Sequence, residues 1–347
     1  MEVDIKTKLR LAKALTNVSV AYLQKDEEFL ADKVFPSVPV EERSDVYYQF
    51  DSSQFLQSNV EQVAPKGQAP IIDITLASPV SYYCPTFKLG VEISTEKMRE
   101  IDKVQNVEKV ATKTLARNFL IKREREFAKA FFTKGLWQND VEGVESTANN
   151  QSKFNFWNKE TSSPIKDVKS AKSSIHLRTT LTPNTMILGY NVFDALLEHR
   201  EIIARIIHSG SNDNPSKANI NVLKNLFELE NIYISKAVHN LSPNGNFNVD
   251  GNTYVCDPNS ALLCYVPPEA GLEVPASGYT FEYTGVQESM FAGNSFSANA
   301  GNGSVGTKRY FDERKSCYVV ETWEAYNHKL IGKELGFFLS NIVKKEK

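Results

Sequence analysis

The 347-residue sequence lacks most features that would assign it to a membrane or to an enzyme class. It contains no run of 18 or more apolar residues, so no membrane-spanning helix is predicted. Its first residues show no basic segment followed by an apolar stretch, so we expect no signal peptide and synthesis in the cytoplasm. The net charge of −2 argues against a protein that reads nucleic acid through a strongly basic surface.

Cysteine and histidine are scarce, and neither is spaced as metal ligands usually are. Of the 4 cysteines, Cys256 and Cys264 lie too far apart for a zinc motif. We therefore expect reduced, mostly buried thiols, with an inter-subunit disulfide as the alternative. The 5 histidines form no HExxH motif, and no glycine-rich phosphate loop or GxSxG elbow occurs. The sequence predicts no catalytic, metal or cofactor site.

What the sequence does contain is enough apolar material for a core, since hydrophobic residues make up 41%. Residues 185–189 form a short apolar run that predicts a buried strand. A change of period at Asn191, a plausible N-cap, predicts a helix. Leu196 and Ile203 should lie on its inner face. Arg200 introduces no proline kink, so the length of this helix is left open.

A longer helix is predicted over residues 96–133, with Gly135 beyond its end. It would span about 55 Å at 1.5 Å per residue, too long to pack end to end inside a small globule. The charged run at residues 122–126 is interpreted as a solvated face with i,i+4 ion pairs. Further helices are predicted over residues 7–24, 165–177 and 220–227. Residues 141–164 are interpreted as a loop that packs on itself.

The first part of the chain contains two segments that cannot form a core alone. Prolines after Phe35 and Val38 force an extended conformation over residues 25–44, so Val34, Phe35 and Val38 must lie on the same subunit or on the next. Apolar and polar residues alternate within residues 47–93, which predicts a two-stranded β-ribbon with Lys66 and Gly67 at its tip. Such a ribbon has only marginal stability in water without a partner.

Four stretches resemble, in order, the major capsid proteins of tailed bacteriophages. The helix at residues 191–207, which reads NVFDALLEHREIIARII, and the strand before it resemble the family's core domain. Residues 31–40, ADKVFPSVPV, resemble its N-terminal arm. Residues 266–284, VPPEAGLEVPASGYTFEYT, are similar to a late axial segment. Residues 319–338, VVETWEAYNHKLIGKELGFF, resemble its last peripheral strands.

The resemblance implies the mixed α+β architecture called the Johnson fold, which encapsulin shells share. An N-terminal arm would cover residues 1–46 and an extended β-ribbon loop residues 47–93. The peripheral domain, with its long spine helix, would combine residues 94–183 and 307–347. The axial domain would cover residues 184–306.

The implied function is a non-enzymatic subunit that assembles into pentamers and hexamers of an icosahedral shell around double-stranded DNA. Its partners would be other copies of itself, separate scaffolding, portal and decoration proteins, and DNA bound without sequence preference at the inner face. The location would be the virion capsid, assembled in the host cytoplasm. An encapsulin-like compartment is one alternative, and a soluble enzyme with an unrecognised site is another.

Assembly contacts are expected at the arm and at the ribbon tip. The residues concerned are Val34, Phe35, Val38, Lys66 and Gly67. Because the arm would lie on a neighbour, removal of residues 1–44 should leave a folded subunit that forms no closed shell. Some relatives crosslink a loop lysine to a neighbour's asparagine. Lys66 with Asn327 or Asn341 would be the pair here, although an ordinary exposed lysine is the preferred interpretation.

Overall fold

A computed structural model describes the greater part of the chain. The described residues are 28–47, 56–64, 66–72, 79–96, 107–146, 153–208, 219–242, 248, 251–269, 271, 274–286 and 305–344. The helix predicted over residues 7–24 lies outside this part. Within the described residues, no helix is both long and apolar enough to cross a membrane.

The α-helices of the described part correspond to the predicted helical segments, but the long one is described only from Val107 and the one predicted from Asn191 is interrupted. They are α1 (Val107–Phe131), α2 (Pro164–Thr179), α3 (Tyr190–Glu198), α4 (Arg200–His208) and α5 (Ile220–Phe227). Helix α2 starts at a proline, which suits a first turn that needs no donor. Asn219 caps α5, since its side chain accepts from the Val222 N–H at 3.0 Å. Gly135, with φ +87°, follows the end of α1 as expected.

The helix predicted from Asn191 onwards is interrupted at His199, whose ψ of 125° is extended. The imidazole Nδ1 of His199 accepts the Glu201 N–H at 3.2 Å, so the side chain caps the first turn of α4. Asn191 itself lies inside α3, behind the N-cap Gly189, so its predicted capping role is wrong. The residue donates instead from Nδ2 to Asn259 Oδ1 at 2.9 Å.

The interruption changes which isoleucine enters the core. Leu196 is fully buried, as predicted, but Ile203 is 39% exposed and Ile202 is fully buried in its place. A continuous helix would bring residues seven apart onto one face, and the extended residue between α3 and α4 removes that alignment.

Replacement of Leu196 by alanine is expected to lower the free energy of unfolding by about 2–5 kcal/mol, because the change removes buried contacts and leaves a cavity. Ile203→Ala provides the matched control and should cost under about 1 kcal/mol. Urea denaturation followed by circular dichroism measures both. Equal losses for the two variants would contradict the observed helix break.

A six-stranded mixed sheet forms the centre of the molecule. Its strands, in spatial order, are β6 (Phe154–Asn155), β5 (Asn139–Val144), β15 (Gly336–Ser340), β11 (Ala261–Cys264), β7 (Thr185–Gly189) and β8 (Asn231–Ser235). Every residue of β7 is buried, which confirms the predicted core strand. Its last residue is Gly189. Glycine is needed there because a Cβ would lie 2.4 Å from the Pro258 carbonyl oxygen.

Both faces of this sheet are covered, which explains its continuous apolar runs. Met186 and Leu188 face a first core formed with α2, α3, α4 and α5, together with Leu196. Ile187, between them, faces a second core that includes Phe127 of α1. The segment 141–164 joins this packing through Trp157, which is fully buried in the first core. The interpretation of that segment as a loop packed on itself is therefore wrong.

A second, five-stranded sheet is built around one long strand. It comprises β1 (Ser37–Val40), β4 (Thr86–Ser94), β12 (Gly278–Tyr283), β13 (Val305–Asp312) and β14 (Cys317–Leu330). Strand β14 pairs antiparallel with β4, β12 and β13, whereas β1 pairs parallel with β12. Helix α1 packs on β14 and β4. The sheet thus joins the arm to the long helix and the late strands.

Two short hairpin-like pairs complete the described secondary structure. They are β2 (Ser44–Tyr47) with β3 (Val80–Tyr83), and β9 (Val238–Asn240) with β10 (Asn252–Tyr254). Of the long ribbon predicted over residues 47–93, the described residues pair at the base, as β2 with β3, and β4 pairs with β14. Residues 56–64 and 66–72 contain no strand. Ile72, within the predicted ribbon, is 62% exposed.

The predicted division into peripheral and axial domains stays a prediction. The central sheet combines β5, β6 and β15, from the segments assigned to a peripheral domain, with β7, β8 and β11, from the axial segment.

Candidate assembly surface

The arm lies against its own chain through the residues predicted as assembly contacts. Phe35 is 2% exposed, and its ring centroid is 4.3 Å from that of Phe131 and 6.0 Å from that of Phe127. Val34 and Val38 are also buried. The sequence left open whether the arm packs on its own subunit or on the next one. In the structure it packs on its own subunit. A contact of these side chains with a neighbour would require the arm to leave its own core.

A buried arginine on α1 joins the arm to the five-stranded sheet. Arg123 pairs with Asp32 of the arm and with Glu282 of β12, and its Nη1 is 3.8 Å from the Glu324 carboxylate of β14. Its guanidinium carbon lies 4.8 Å from the ring centroid of Tyr326. The interpretation of residues 122–126 as a solvated face is wrong at this position.

The next residue, Glu124, is fully buried and binds the arm backbone directly. Its Oε2 accepts the N–H groups of Leu30 at 2.8 Å and Ala31 at 2.9 Å. Its other oxygen, Oε1, has no hydrogen-bond partner among the described residues. Burial raises the pKa of Glu124 to about 7, although the two N–H groups oppose the shift. Only Lys122 and Glu126, 2.7 Å apart, form the predicted i,i+4 pair.

The charges of this cluster do not balance when every group is ionised. Asp32, Glu124, Glu282 and Glu324 supply four carboxylates, against the guanidinium of Arg123 and the nearby Lys33. Burial raises the pKa of Glu324 to about 7, even though Arg123 favours its charged form. Protons therefore bind in the cluster near neutral pH, because buried carboxylates in excess of their cations cannot all stay ionised.

The loop between β2 and β3 exposes large apolar side chains. Val60 is 90% exposed and Ile71 is 93% exposed, and Ile72 beside it is mostly exposed as well. Lys66, with φ +86°, and Gly67, whose N–H donates to the Ala64 carbonyl at 2.7 Å, form a sharp turn. Apolar side chains exposed on one loop make this loop the candidate surface for a partner.

The lysine–asparagine crosslink would join neighbouring subunits, so the contacts of the candidate residues within one chain do not test it. Asn327 donates from Nδ2 to the Tyr83 carbonyl, and Asn341 donates from Nδ2 to the Gly143 carbonyl at 3.4 Å. Lys66 is exposed. The preferred interpretation of Lys66 as an ordinary exposed lysine stays a prediction.

One serine–histidine contact resembles part of a catalytic triad but has the opposite polarity. Ser162 Oγ lies 2.9 Å from His199 Nε2 and donates to the Lys159 carbonyl at 2.6 Å. Because His199 Nδ1 accepts the Glu201 N–H, the neutral ring carries its proton on Nε2. Burial lowers the pKa of His199 and keeps the ring neutral. The ring therefore donates to the serine, and it cannot remove the serine proton as a general base would.

The cysteines are free and buried, as predicted. Burial raises the pKa of the Cys84 thiol to about 11 and also raises those of Cys256 and Cys264, so the thiols stay neutral. Among the described residues, no group of three or more His, Cys, Asp or Glu side chains could hold a metal ion.

Comparison with known proteins gives relatives along almost the whole chain. No family model matches. The major capsid protein of Burkholderia phage BcepMu is 22% identical over 350 residues, which cover 97% of this chain and 98% of the relative. The major capsid protein of Pseudomonas phage JBD67 is 23% identical, over 95% of this chain and 96% of the relative. The chain is thus similar to two phage major capsid proteins along almost its whole length.

Solved structures confirm the Johnson fold predicted from the sequence. A phage-related protein of Bordetella bronchiseptica matches with a TM-score of 0.65 and 20% identity, over 95% of this chain and 97% of that one. The capsid of Myoviridae phage XM1 matches with a TM-score of 0.53 and 12% identity, over 92% and 94%. An encapsulin of Synechococcus elongatus matches with a TM-score of 0.50 and 10% identity, over 96% and 98%.

The names of the two relatives agree with the predicted function. Both are named major capsid protein, which supports the predicted non-enzymatic role and a location in a virion capsid. The encapsulin likeness, at 10% identity, reports the shared fold alone. The encapsulin alternative is therefore the weaker one.

Proposed function

We propose that this capsid protein assembles with copies of itself into pentamers and hexamers of an icosahedral shell, and that the loop over residues 56–72 forms the main clamp between subunits. The observation that carries the proposal is the exposure of Val60, Ile71 and Ile72 on a loop whose described residues, 56–64 and 66–72, contain no strand. Such a loop gains order and buries apolar surface when it lies on a neighbour.

The turn at Lys66 and Gly67 supports the same clamp. Both residues are exposed, so they are open to contact with a neighbour. Repeated head-to-tail contacts of this kind close into rings when the rotation between subunits permits it.

Double-stranded DNA is the proposed content of the shell, held weakly and without sequence preference at the inner face. The net charge of −2 supports weak contact, because strong binding to DNA requires many released counterions and hence many basic side chains. Assembly in the host cytoplasm, with separate scaffolding, portal and decoration proteins, is part of the same proposal.

The clamp can be tested by replacing Val60, Ile71 and Ile72 together with serine. Because these side chains are exposed in the subunit, the triple variant should keep the melting temperature of the parent within a few degrees. It should fail to form shells, since the apolar surface for the neighbour is gone. Sedimentation and negative-stain microscopy compare the two proteins at matched concentrations.

Leu177→Ser supplies a control, because Leu177 is 83% exposed on α2 and lies outside the loop. We expect this variant to assemble like the parent. Normal shells from the triple variant would refute the clamp. A parent chain that stays a compact monomer at every concentration would refute self-assembly as a whole.

A further inference from the structure

The contact between Glu124 and the arm differs from an ordinary structural hydrogen bond. A fully buried carboxyl group accepts two backbone N–H groups through one oxygen, while the other oxygen, Oε1, is buried without a hydrogen-bond partner among the described residues. An ionised carboxylate in this position carries a charge with a desolvated, unpaired oxygen. The protonated carboxyl avoids the charge and still offers its carbonyl oxygen to Leu30 and Ala31.

We propose that Glu124 is a proton-dependent latch for the arm: residues 28–36 stay docked on α1 while the carboxyl holds its proton, and they separate more readily once it ionises. Separation would uncover Val34 and Phe35, which the docked arm keeps within its own core. The docking step concerns the single chain, so it does not depend on the proposed shell.

The charged groups around Glu124 set the direction of the effect. Asp32 of the arm favours the protonated form, whereas Lys33 of the arm favours the ionised form. Cys256, packed nearby after β10, keeps its proton because burial raises its pKa. Arg123, beside Glu124 on α1, pairs instead with Asp32 and with the two strand carboxylates Glu282 and Glu324.

Docking should weaken as pH rises. The pKa of Glu124 is about 7 in the docked state, against a usual value of 4.5 once it is exposed. Glu124 therefore stabilises docking fully below pH 4.5, where it is protonated in both states. This stabilisation is lost as pH rises through about 7, the pKa of Glu124 in the docked state. His328 acts in the opposite direction, because burial lowers its pKa to about 3. If separation exposed His328, acidification would weaken docking and oppose the change from Glu124.

Hydrogen exchange of the full chain tests the latch at its own donors, the Leu30 and Ala31 amides. Protection factors, corrected for intrinsic exchange, should fall roughly tenfold or more between about pH 5.5 and about pH 8. Helix α5 provides reference amides, which should not follow this change. Equal protection of Leu30 and Ala31 at both pH values would overturn the proposal, as would an equal fall in α5.

Glu124→Gln keeps the two acceptor bonds but cannot ionise. It should show the same protection at both pH values, close to that of the parent at the lower pH. Glu313→Gln, an exposed change in the turn between β13 and β14, should retain the parental pH dependence. A Glu124→Gln protein that keeps the fall in protection would refute the assignment to Glu124. If Glu124→Gln does not fold, the protection of Leu30 and Ala31 in the parent protein at the two pH values decides whether the latch exists.

Discussion

Replacement of Arg123 by methionine is expected to destabilise the folded chain by about 3–5 kcal/mol at pH 8, because it leaves buried carboxylates without their cation. Glu282 and Glu324 are 5% and 4% exposed, so water cannot take the place of the guanidinium. Methionine retains much of the apolar stem of arginine, which limits the loss of packing. Urea denaturation of both proteins measures the difference.

Acidification should reduce this difference. The pKa of Glu324 is already raised to about 7 by burial, and removal of Arg123 takes away the charge that favours ionisation. Because the pKa of Glu324 is about 7 in the folded chain against a usual value of 4.5, this group stabilises the fold fully below pH 4.5. That stabilisation is lost as pH rises through about 7. The variant should therefore lie closer to the parent at pH 5 than at pH 8.

Two further variants separate charge from shape. Lys122→Met removes a half-exposed partner of Glu126 on the same helix and should cost under about 1 kcal/mol. Addition of Glu282→Gln and Glu324→Gln to Arg123→Met should recover much of the stability, since no uncompensated charge remains. An Arg123→Met protein as stable as the parent at pH 8 would show that the cluster does not hold the arm and sheet together.

The local elements of this fold could be predicted because their causes lie close together in the sequence. The apolar run at β7 is buried on both faces, and the capped helix α5 begins and ends where its pattern does. The break at His199 was harder to predict, because the periodicity of the apolar residues runs across it. The competing signal was the imidazole itself, which caps α4 through Nδ1.

The charged cluster was missed for a different reason. A run such as residues 122–126 predicts a solvated face from local pattern alone, and its burial depends on partners about 90 to 200 residues away in the arm and late strands. One signal was present: Glu282 is the single acid of β12, GYTFEY, and Glu324 lies between Trp323 and Ala325 in β14. Acids in such strands need a buried cation or a proton.

The arm shows the same limit of local sequence information. An extended, proline-bounded apolar segment must pack somewhere, but its sequence does not indicate whether the surface belongs to its own subunit or to another. The structure places Phe35 on α1. The expectation that a subunit without residues 1–44 stays folded therefore conflicts with the structure, since that deletion would uncover the second core.

Phe35→Ala is accordingly expected to cost about 3–5 kcal/mol in the isolated subunit, through lost burial and a cavity against α1. Phe311→Ala is the matched control: this ring on β13 is 45% exposed, and its removal should cost under about 1 kcal/mol. Thermal unfolding of unassembled subunits is the deciding measurement. An arm that belonged to a neighbour would leave the Phe35→Ala subunit as stable as the parent and impair only its assembly. A large loss before any assembly would instead establish the arm as part of its own core, which is the state that a latch at Glu124 would control.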